Sequence, residues 1–368
     1  MCYNLIMERR EFIKNGLCLS CISIFGAGCK NSLINDNSLE NDRFYYKSKD
    51  ELPKRIRIEA CSLCQLNCPA CTTRRLEKKA PKDWLGYLKF DDFKKFVDDN
   101  KFDEIELSNN GEIFLNPELD EIIKYANYKN ISLTASNGVN LNTVSEATLE
   151  NLVKYKFKKI TVSIDGATPE TYKIYRVGGD LNKVFRNIKR INYYKEKYNS
   201  IFPKLTYQFI PFGHNEHEIL LAKKKAQELN MGITFRRNIQ IKYSPIKNKE
   251  LVERQTGLKI HTQLKNLIKE DMELKKTFVC YGLFNRPQID YNGNLLGCPR
   301  IYIGSFGANA FKDGLLKALN DSKYIYAKHM LTDLSISPKK DVPCFDCYSY
   351  RMLRKNNTPL KRSFIDNI

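Results

Sequence analysis

Histidine is scarce in this 368-residue chain, and the sequence has no long basic run. Its four histidines, His214, His217, His261 and His329, lack metal-ligand spacing and are expected to be solvated. Lysine and arginine outnumber aspartate and glutamate by 61 to 42, a formal charge of +19, but the lysines are spread along the chain. This distribution indicates a solvated basic surface, and no nucleic-acid partner is expected.

Cysteine, by contrast, is abundant. Four of the twelve cysteines lie in the first thirty residues, and the other eight are clustered: Cys61, Cys64, Cys68, Cys71, Cys280, Cys298, Cys344 and Cys347. A chain of this length with 42% hydrophobic residues can bury a sizeable core without disulfides, so C-x2-C clusters favour metal binding. Disulfides of an exported domain and plain buried thiols are the alternatives.

The tightest cluster directly follows a predicted strand, Arg55–Glu59. Within it, Cys64, Cys68 and Cys71 have the spacing C-x3-C-x2-C. Three thiolates from one short loop suit three irons of a cubane cluster and leave the fourth iron open. A closed zinc site is the alternative, although the gap from Cys64 to Cys68 is short for two zinc knuckles.

This loop resembles the signature of the radical S-adenosylmethionine (SAM) enzymes, which follows the first strand of a barrel. The resemblance implies a 4Fe–4S cluster on Cys64, Cys68 and Cys71, with SAM bound to the open iron. Cys61 lies outside the signature and is assigned no ligand role. Ala70 departs from the family pattern, because relatives usually carry an aromatic or large apolar residue before the last cysteine.

Strand-like and helix-like segments alternate from about residue 52 to residue 238. The predicted strands are Arg55–Glu59, Glu104–Leu107, Ile131–Ala135, Lys159–Ile164, Leu205–Ile210 and Ile233–Phe235, and the amphipathic stretches include Phe90–Asp99, Leu119–Asn127, Leu181–Tyr198 and Glu216–Leu229. Such alternation predicts an α/β fold with a parallel sheet, because parallel neighbours need long crossovers. Between an open sheet and a closed one, the resemblance selects a partial, six-unit (β/α) barrel of the TIM type, with its chemistry at the C-terminal strand ends.

The loops after these strands carry the residues that the resemblance assigns to SAM. Glu112 is similar to the last residue of the family's Gly-Gly-Glu motif, which implies that it binds the methionine amino group, although Asn110 replaces the first glycine. Asn137 lies in a Ser-Asn-Gly that resembles the Thr-Asn-Gly of relatives. Ser163 is implied to lie near the ribose. Arg176 is implied to bind the methionine carboxylate, which a planar guanidinium matches.

A second group of cysteines lies in the C-terminal part of the chain. Cys280, Cys298, Cys344 and Cys347 can close a cage around one cluster, with zinc as the alternative. A β-hairpin turning at Asn292-Gly293 is predicted to bring Cys298 back towards Cys280. This segment resembles the start of the SPASM extension, which implies a second, auxiliary 4Fe–4S cluster. No cysteine follows Cys347, so the module is shortened.

These features divide the chain into a leader (1–50), a radical SAM core (51–241), a connector (242–276), a small cysteine-rich α+β SPASM-like extension (277–355) and a polar tail (356–368). The connector includes a helical stretch near Leu264–Met272. In the leader, Arg9-Arg10 and an uncharged run ending at Cys29 resemble a twin-arginine export signal with an imperfect lipoprotein box. The run, 16–28, is too short to span a bilayer as a mature helix.

The resemblance implies an oxidoreductase or maturase that cleaves SAM to a 5′-deoxyadenosyl radical and abstracts hydrogen from a peptide or protein side chain. A small-molecule substrate such as a sugar is the alternative, since no peptide-recognition domain is visible before the barrel. A flavodoxin- or ferredoxin-type reductant and a cytoplasmic location are expected, with export or membrane anchoring through the leader as the alternative. A non-catalytic iron–sulfur or zinc electron carrier is the alternative of another class.

Overall fold

The computed structural model describes residues 36–73, 84–239, 241–261, 280–299, 301 and 304–360. The leader signal around Arg9-Arg10 and the helical stretch predicted at Leu264–Met272 lie outside the described residues. Within these ranges, no helix is both long and apolar enough to cross a membrane.

The described chain alternates strands with helices through its first two thirds. The strands are β1 Arg55–Ile58, β2 Glu104–Glu106, β3 Ser132–Val139, β4 Lys159–Ser163, β5 Lys204–Phe209, β6 Gly232–Phe235 and β7 Gln288–Ile289. The helices are α1 Phe90–Asp99, α2 Leu119–Tyr128, α3 Glu146–Lys154, α4 Pro169–Tyr175, α5 Leu181–Lys197, α6 Ile219–Glu228, α7 Lys249–Thr256, α8 Gly282–Asn285, α9 Leu315–Leu319, α10 Ser322–Thr332 and α11 Tyr348–Lys355. Short 3₁₀ turns occur at Asp36–Asn41, Lys49–Glu51, Ile113–Leu115 and Glu216–Glu218.

The seven strands form one parallel sheet in the order β6-β5-β4-β3-β2-β1-β7. The α/β partial-barrel prediction is therefore confirmed, and all six predicted strands are present. β3 extends four residues beyond its predicted end, through a register shift between Ala135 and Val139. The sequence analysis named no helix at the positions of α3, α4, α7 or the four C-terminal helices α8 to α11.

The predicted hairpin at Asn292-Gly293 is present, and its first strand has a second partner. Ile289 forms an antiparallel bridge with Leu295, and Gly293 turns the chain at a φ of 85°. β7, however, also pairs in parallel with β1, which the sequence did not predict. The C-terminal extension is thereby joined directly to the strand that precedes the first cysteine loop.

Helix starts and burial follow the sequence pattern. Asp180 caps α5 by accepting hydrogen bonds from the Asn182 and Lys183 amides at 2.8 and 3.2 Å. The buried positions of α5 recur every three or four residues and face the sheet: Leu181, Val184, Ile188, Ile191 and Tyr194. This periodicity places the helices outside the sheet and leaves the strand ends free to carry a site.

Residues 42–46 belong to the fold, whereas the sequence analysis left the first fifty residues out of it. The backbone of Tyr46 exchanges hydrogen bonds of 2.9 and 2.8 Å with the side chain of Asn320. Asp42 lies 2.6 Å from His329 on α10. These contacts join segments that are far apart along the chain, which a local pattern does not reveal.

Candidate active site

The loop that carries Cys64, Cys68 and Cys71 follows the C-terminal end of β1. Cys68 is buried, the other two are half-buried, and none of them is in a disulfide. Burial raises the pKa of Cys64 to about 12 and also raises that of Cys68. Without a metal, both are therefore protonated thiols at neutral pH. A small apolar cluster packs around the loop and comprises Leu66, Ala70, Tyr175 and Phe212.

Arg176, directly after α4, contacts the cysteine loop. Its Nη1 donates to Cys68 Sγ at 3.7 Å, and its Nη2 forms an ion pair with Asp165. Burial alone would lower the pKa of Arg176, but Asp165 raises it well above its ordinary value. Burial raises the pKa of Asp165, and the guanidinium and the Ile210 amide oppose that rise. The buried Nε of Arg176 has no hydrogen-bond partner, so one donor of the fork is available to a ligand.

Glu112 also contacts the cysteine loop. Its backbone amide donates to Leu63 O at 2.7 Å, and its carboxylate accepts from the Asn140 amide at 2.6 Å. Gly111 makes this approach possible, since a Cβ there would stand 2.5 Å from the carbonyl oxygens of Cys61 and Leu63. Burial raises the pKa of Glu112 to about 7. A cationic partner would restore the charge of this carboxylate.

Ser163 and Asn137 lie on neighbouring strand ends, and only Ser163 is buried. Ser163 Oγ accepts from Gln208 Nε2 at 3.1 Å, and Gln208 Oε1 is buried without a partner. Gly138 keeps the space next to Ser163 open, because a Cβ at position 138 would lie 2.2 Å from Ser163 Oγ. Asn137 is exposed, and its Nδ2 donates to Asn109 O at 3.0 Å.

Two residues near the cysteine loop were not predicted to take part in the site. Asn140 Nδ2 lies 3.9 Å from Cys64 Sγ, and Asn140 Oδ1 accepts from Gln65 Nε2 at 2.9 Å. Asp165 is the ion-pair partner of Arg176. Asp165 directly follows the predicted strand Lys159–Ile164, and Asn140 lies two residues after the Ser-Asn-Gly that follows Ile131–Ala135. Position at a strand end is therefore the signal that would have found them.

His214 is half-buried and not solvated as expected. Its ring stacks on Phe212 with centroids 5.1 Å apart, and its Nδ1 lies 2.7 Å from Ser244 Oγ. Burial lowers the pKa of His214, so the ring is neutral at pH 7. His214 therefore extends the apolar wall beside the cysteine loop.

The C-terminal cysteines Cys280, Cys298, Cys344 and Cys347 are all buried, and none is in a disulfide. Burial raises the pKa of Cys344 well above its ordinary value, and the other three thiols raise it further. Cys344 therefore lies within electrostatic range of the other three cysteines, although the four come from separated segments of the chain. Among all described residues, no three His, Cys, Asp or Glu side chains stand close enough to hold a metal ion as they are placed.

Glu59, directly after β1, provides a test of the electrostatics at this end of the sheet. Burial raises its pKa from 4.5 to about 7, and the nearby charge of Asp290 raises it further. The pKa of Glu59 is higher in the folded than in the unfolded protein. The contribution of this carboxyl group to stability is therefore fully present below pH 4.5 and is lost as the pH rises through about 7. In the wild type, we expect the Glu59 contribution to lower the free energy of unfolding by about 3 kcal/mol between these pH values. In Glu59→Gln, this decrease is expected to be absent.

Urea unfolding of the metal-free protein at a series of pH values measures this change for Glu59. Glu121→Gln, at an exposed position of α2, is the control. Parallel pH profiles for wild type and Glu59→Gln would contradict the expectation.

The central part of the chain matches a known family. Residues 58–219 match the model of the Radical SAM superfamily. These residues are similar to a radical SAM domain. The matched segment contains the first cysteine loop, Glu112, Ser163 and Arg176. The superfamily consists of enzymes, and its cofactors are SAM and a 4Fe–4S cluster.

Curated relatives are similar over part of the chain. A GTP 3′,8-cyclase of Alkaliphilus oremlandii (strain OhILAs) is 29% identical over 147 residues, which cover 38% of this chain and 44% of that protein. A GTP 3′,8-cyclase of Alkaliphilus metalliredigens (strain QYMF) is 27% identical over 172 residues, or 45% of this chain and 49% of that protein. The similarity therefore spans less than half the length of either relative.

Solved structures share the fold over most of the chain. SuiB of Streptococcus suis, bound to its precursor peptide SuiA, superposes with a TM-score of 0.54 and 15% identity, covering 90% of this chain and 79% of SuiB. Polyhistidine-tagged anSMEcpe with bound AdoMet gives a TM-score of 0.54 and 16% identity, covering 82% of this chain and 85% of that one. At these identities the likeness concerns the fold alone.

The residues around the first cysteine loop fit the cofactors of the superfamily. The donor set is three thiols, which select iron–sulfur chemistry over hard cations. Unpartnered buried groups point to a polar ligand beside it, namely Arg176 Nε and Gln208 Oε1. Gly138 keeps the intervening space clear. The described residues therefore have the thiol chemistry that suits a cluster and the unsatisfied polar groups that suit an amino-acid cofactor, although the three thiols as placed do not form a closed metal site.

Proposed function

We propose that this protein is a radical SAM oxidoreductase or maturase whose 4Fe–4S cluster is held by Cys64, Cys68 and Cys71. One observation carries the proposal. The cysteine loop of the matched domain is flanked by a guanidinium, Arg176 at Cys68, and by the buried carboxylate of Glu112. A methionine moiety carries both an ammonium and a carboxylate, so a carboxylate and a guanidinium beside the same loop suit it.

When bound, the cluster and SAM would supply the reductive radical chemistry that removes hydrogen from a substrate. The protein's own residues bind and orient SAM and exclude water from it. Glu112 receives the ammonium group, and Arg176 receives the carboxylate through its unpartnered donor. Ser163 and Asn137 line the ribose side, and the apolar cluster with Tyr175 keeps water from the loop.

The substrate proposed first is a peptide or protein side chain. It is supported by the shared fold of SuiB, which was solved with a precursor peptide. A small molecule is the second candidate, because the two curated relatives are named for a reaction of GTP. A flavodoxin- or ferredoxin-type reductant is proposed to supply the electron.

We further propose that Cys280, Cys298, Cys344 and Cys347 hold an auxiliary 4Fe–4S cluster. Their burial and mutual influence on Cys344 support this, and zinc is the alternative occupant. Replacing all four with alanine is expected to lower the iron content from about eight to about four per chain. Iron and zinc analysis after anaerobic reconstitution measures the change, and an unaltered iron content would reject the auxiliary cluster.

The decisive experiment for the whole proposal is SAM cleavage by the anaerobically reconstituted protein under dithionite. Release of 5′-deoxyadenosine distinguishes the enzyme from a non-catalytic electron carrier, which has no use for the polar groups beside the first loop. Cluster loading without any 5′-deoxyadenosine would leave the electron carrier as the better description.

A further inference from the structure

A cavity of about 1120 Å³ lies at the N-terminal end of β1, beside the C-terminal extension. Its wall includes Arg57 and Arg286. Tyr281 and Pro299, the chain neighbours of two C-terminal cysteines, also line it. Basic lining residues outnumber acidic ones six to three, so the cavity has an excess of positive charge.

Arg57 is directed away from the main core. It stands in β1 between Ile56 and Ile58, which are fully buried, so its side chain lies on the opposite face of the sheet. The register places it beside Glu106 of β2. No ion pair joins Arg57 to any residue in the described part of the chain. A guanidinium inside a fold without such a pair has donors available to a ligand.

The charge of Glu106 partly offsets that of Arg57, but the two groups form no ion pair, and other donors already occupy the oxygens of Glu106. It accepts from Ser108 Oγ at 2.5 Å, Thr134 Oγ1 at 2.8 Å and the Ser136 amide at 2.9 Å. Its approach to Arg286 Nη2 is longer, at 3.9 Å. Hydrogen bonds and the charge of Arg57 lower the pKa of Glu106 although burial opposes them, so it stays ionised.

Arg286 is also incompletely neutralised. It pairs with Glu104 at 2.9 Å, but Glu104 is shared with Lys158 at 2.8 Å. The Nε of Arg286 is buried and has no hydrogen-bond partner. Arg236 adds a third guanidinium close enough to lower the pKa of Arg57, where burial is the larger cause. The three guanidiniums therefore outnumber the two carboxylates, and Cys298, as a thiolate, is a further anionic group near Arg57.

We propose that Arg57 and Arg286 form a binding site for an anionic ligand, a carboxylate or a phosphate, that is separate from the first cysteine loop. Guanidiniums with available donors match such oxyanions through parallel, charge-assisted hydrogen bonds. This site does not depend on the proposed function, because anion binding there does not require SAM cleavage.

Isothermal titration of the reconstituted full chain tests this site. SAM is kept saturating without reductant, so that the groups proposed for its carboxylate are occupied, and the probes are inorganic pyrophosphate and malonate. We expect the wild type to bind at least one probe saturably, and the tighter probe distinguishes phosphate from carboxylate. Arg57→Gln and Arg286→Gln are each expected to weaken that binding about tenfold, the effect of losing one charged hydrogen bond.

Arg190→Gln is the matched control, because it removes an exposed arginine that also pairs with a carboxylate, Glu146. Equal weakening by Arg190→Gln, or no saturable binding by the wild type up to about 10 mM, would overturn the site. If Arg286→Gln fails to fold, Arg57→Gln alone decides, since it breaks no ion pair. Anion binding without 5′-deoxyadenosine release would reject the proposed function and leave this site standing.

Discussion

Replacing Cys68 with alanine is expected to remove about four irons per chain and reduce 5′-deoxyadenosine release to the assay background. Cys68 is the most buried cysteine of the C-x3-C-x2-C loop and the one that Arg176 contacts. When one of three thiolate ligands is lost, a solvent-exposed residue nearby cannot take its place unless the loop changes conformation. Iron analysis and chromatography of the reduced reaction mixture measure both quantities.

Cys61→Ala is the matched control for this prediction. Cys61 is also buried and stands three residues before Cys64, but its thiol is directed to the Leu63 carbonyl oxygen, at 3.8 Å. We expect this variant to keep its iron and its SAM cleavage. Loss of iron in Cys61→Ala together with retention in Cys68→Ala would show that the ligand set is wrong.

Arg176→Met is expected to lower the free energy of unfolding of the metal-free protein by about 3–5 kcal/mol. The side chain of its partner Asp165 is 0% exposed and that of Arg176 13%, so removing the cation leaves a buried carboxylate uncompensated. Arg190→Met breaks a comparable pair at the surface and is expected to cost at most about 1 kcal/mol. Urea unfolding measures both changes.

The double variant Asp165→Asn, Arg176→Met separates stability from cofactor binding. Removing both charges is expected to recover most of the lost stability, because the cost arises from the unpaired carboxylate. SAM binding is expected to stay impaired, since the carboxylate-binding guanidinium is still missing. A double variant that regains both stability and SAM affinity would show that Arg176 is purely structural.

The fold class could be predicted from the sequence because its signals are local. Short β-branched segments alternate with amphipathic stretches, and all six predicted strands occur in the parallel sheet. The predicted cluster loop likewise depends on spacing within eight residues, Cys64 to Cys71. The cofactors follow from the family that this loop resembles, and residues 58–219 match that family. The individual site residues stay predictions.

Contacts between distant segments could not be predicted in this way. β7 adds to the sheet beside β1 although most of the barrel lies between them along the chain. The pairing of Arg176 with Asp165 depends on how α4 folds back onto the end of β4. The packing of residues 42–46 against α10 depends on an N-terminal segment that carries no regular pattern.

By itself, the sequence determined the strand order along the chain and the chemistry of the first cysteine loop, because hydrophobic periodicity and ligand spacing act over a few residues. Only the tertiary structure decided which charges face one another. The carboxylate oxygens of Glu106 accept hydrogen bonds from Ser108, Thr134 and Ser136, and the neighbouring Arg57 has no ion-pair partner in the described chain. That outcome depends on strand register, which sets the neighbours of every side chain across the sheet.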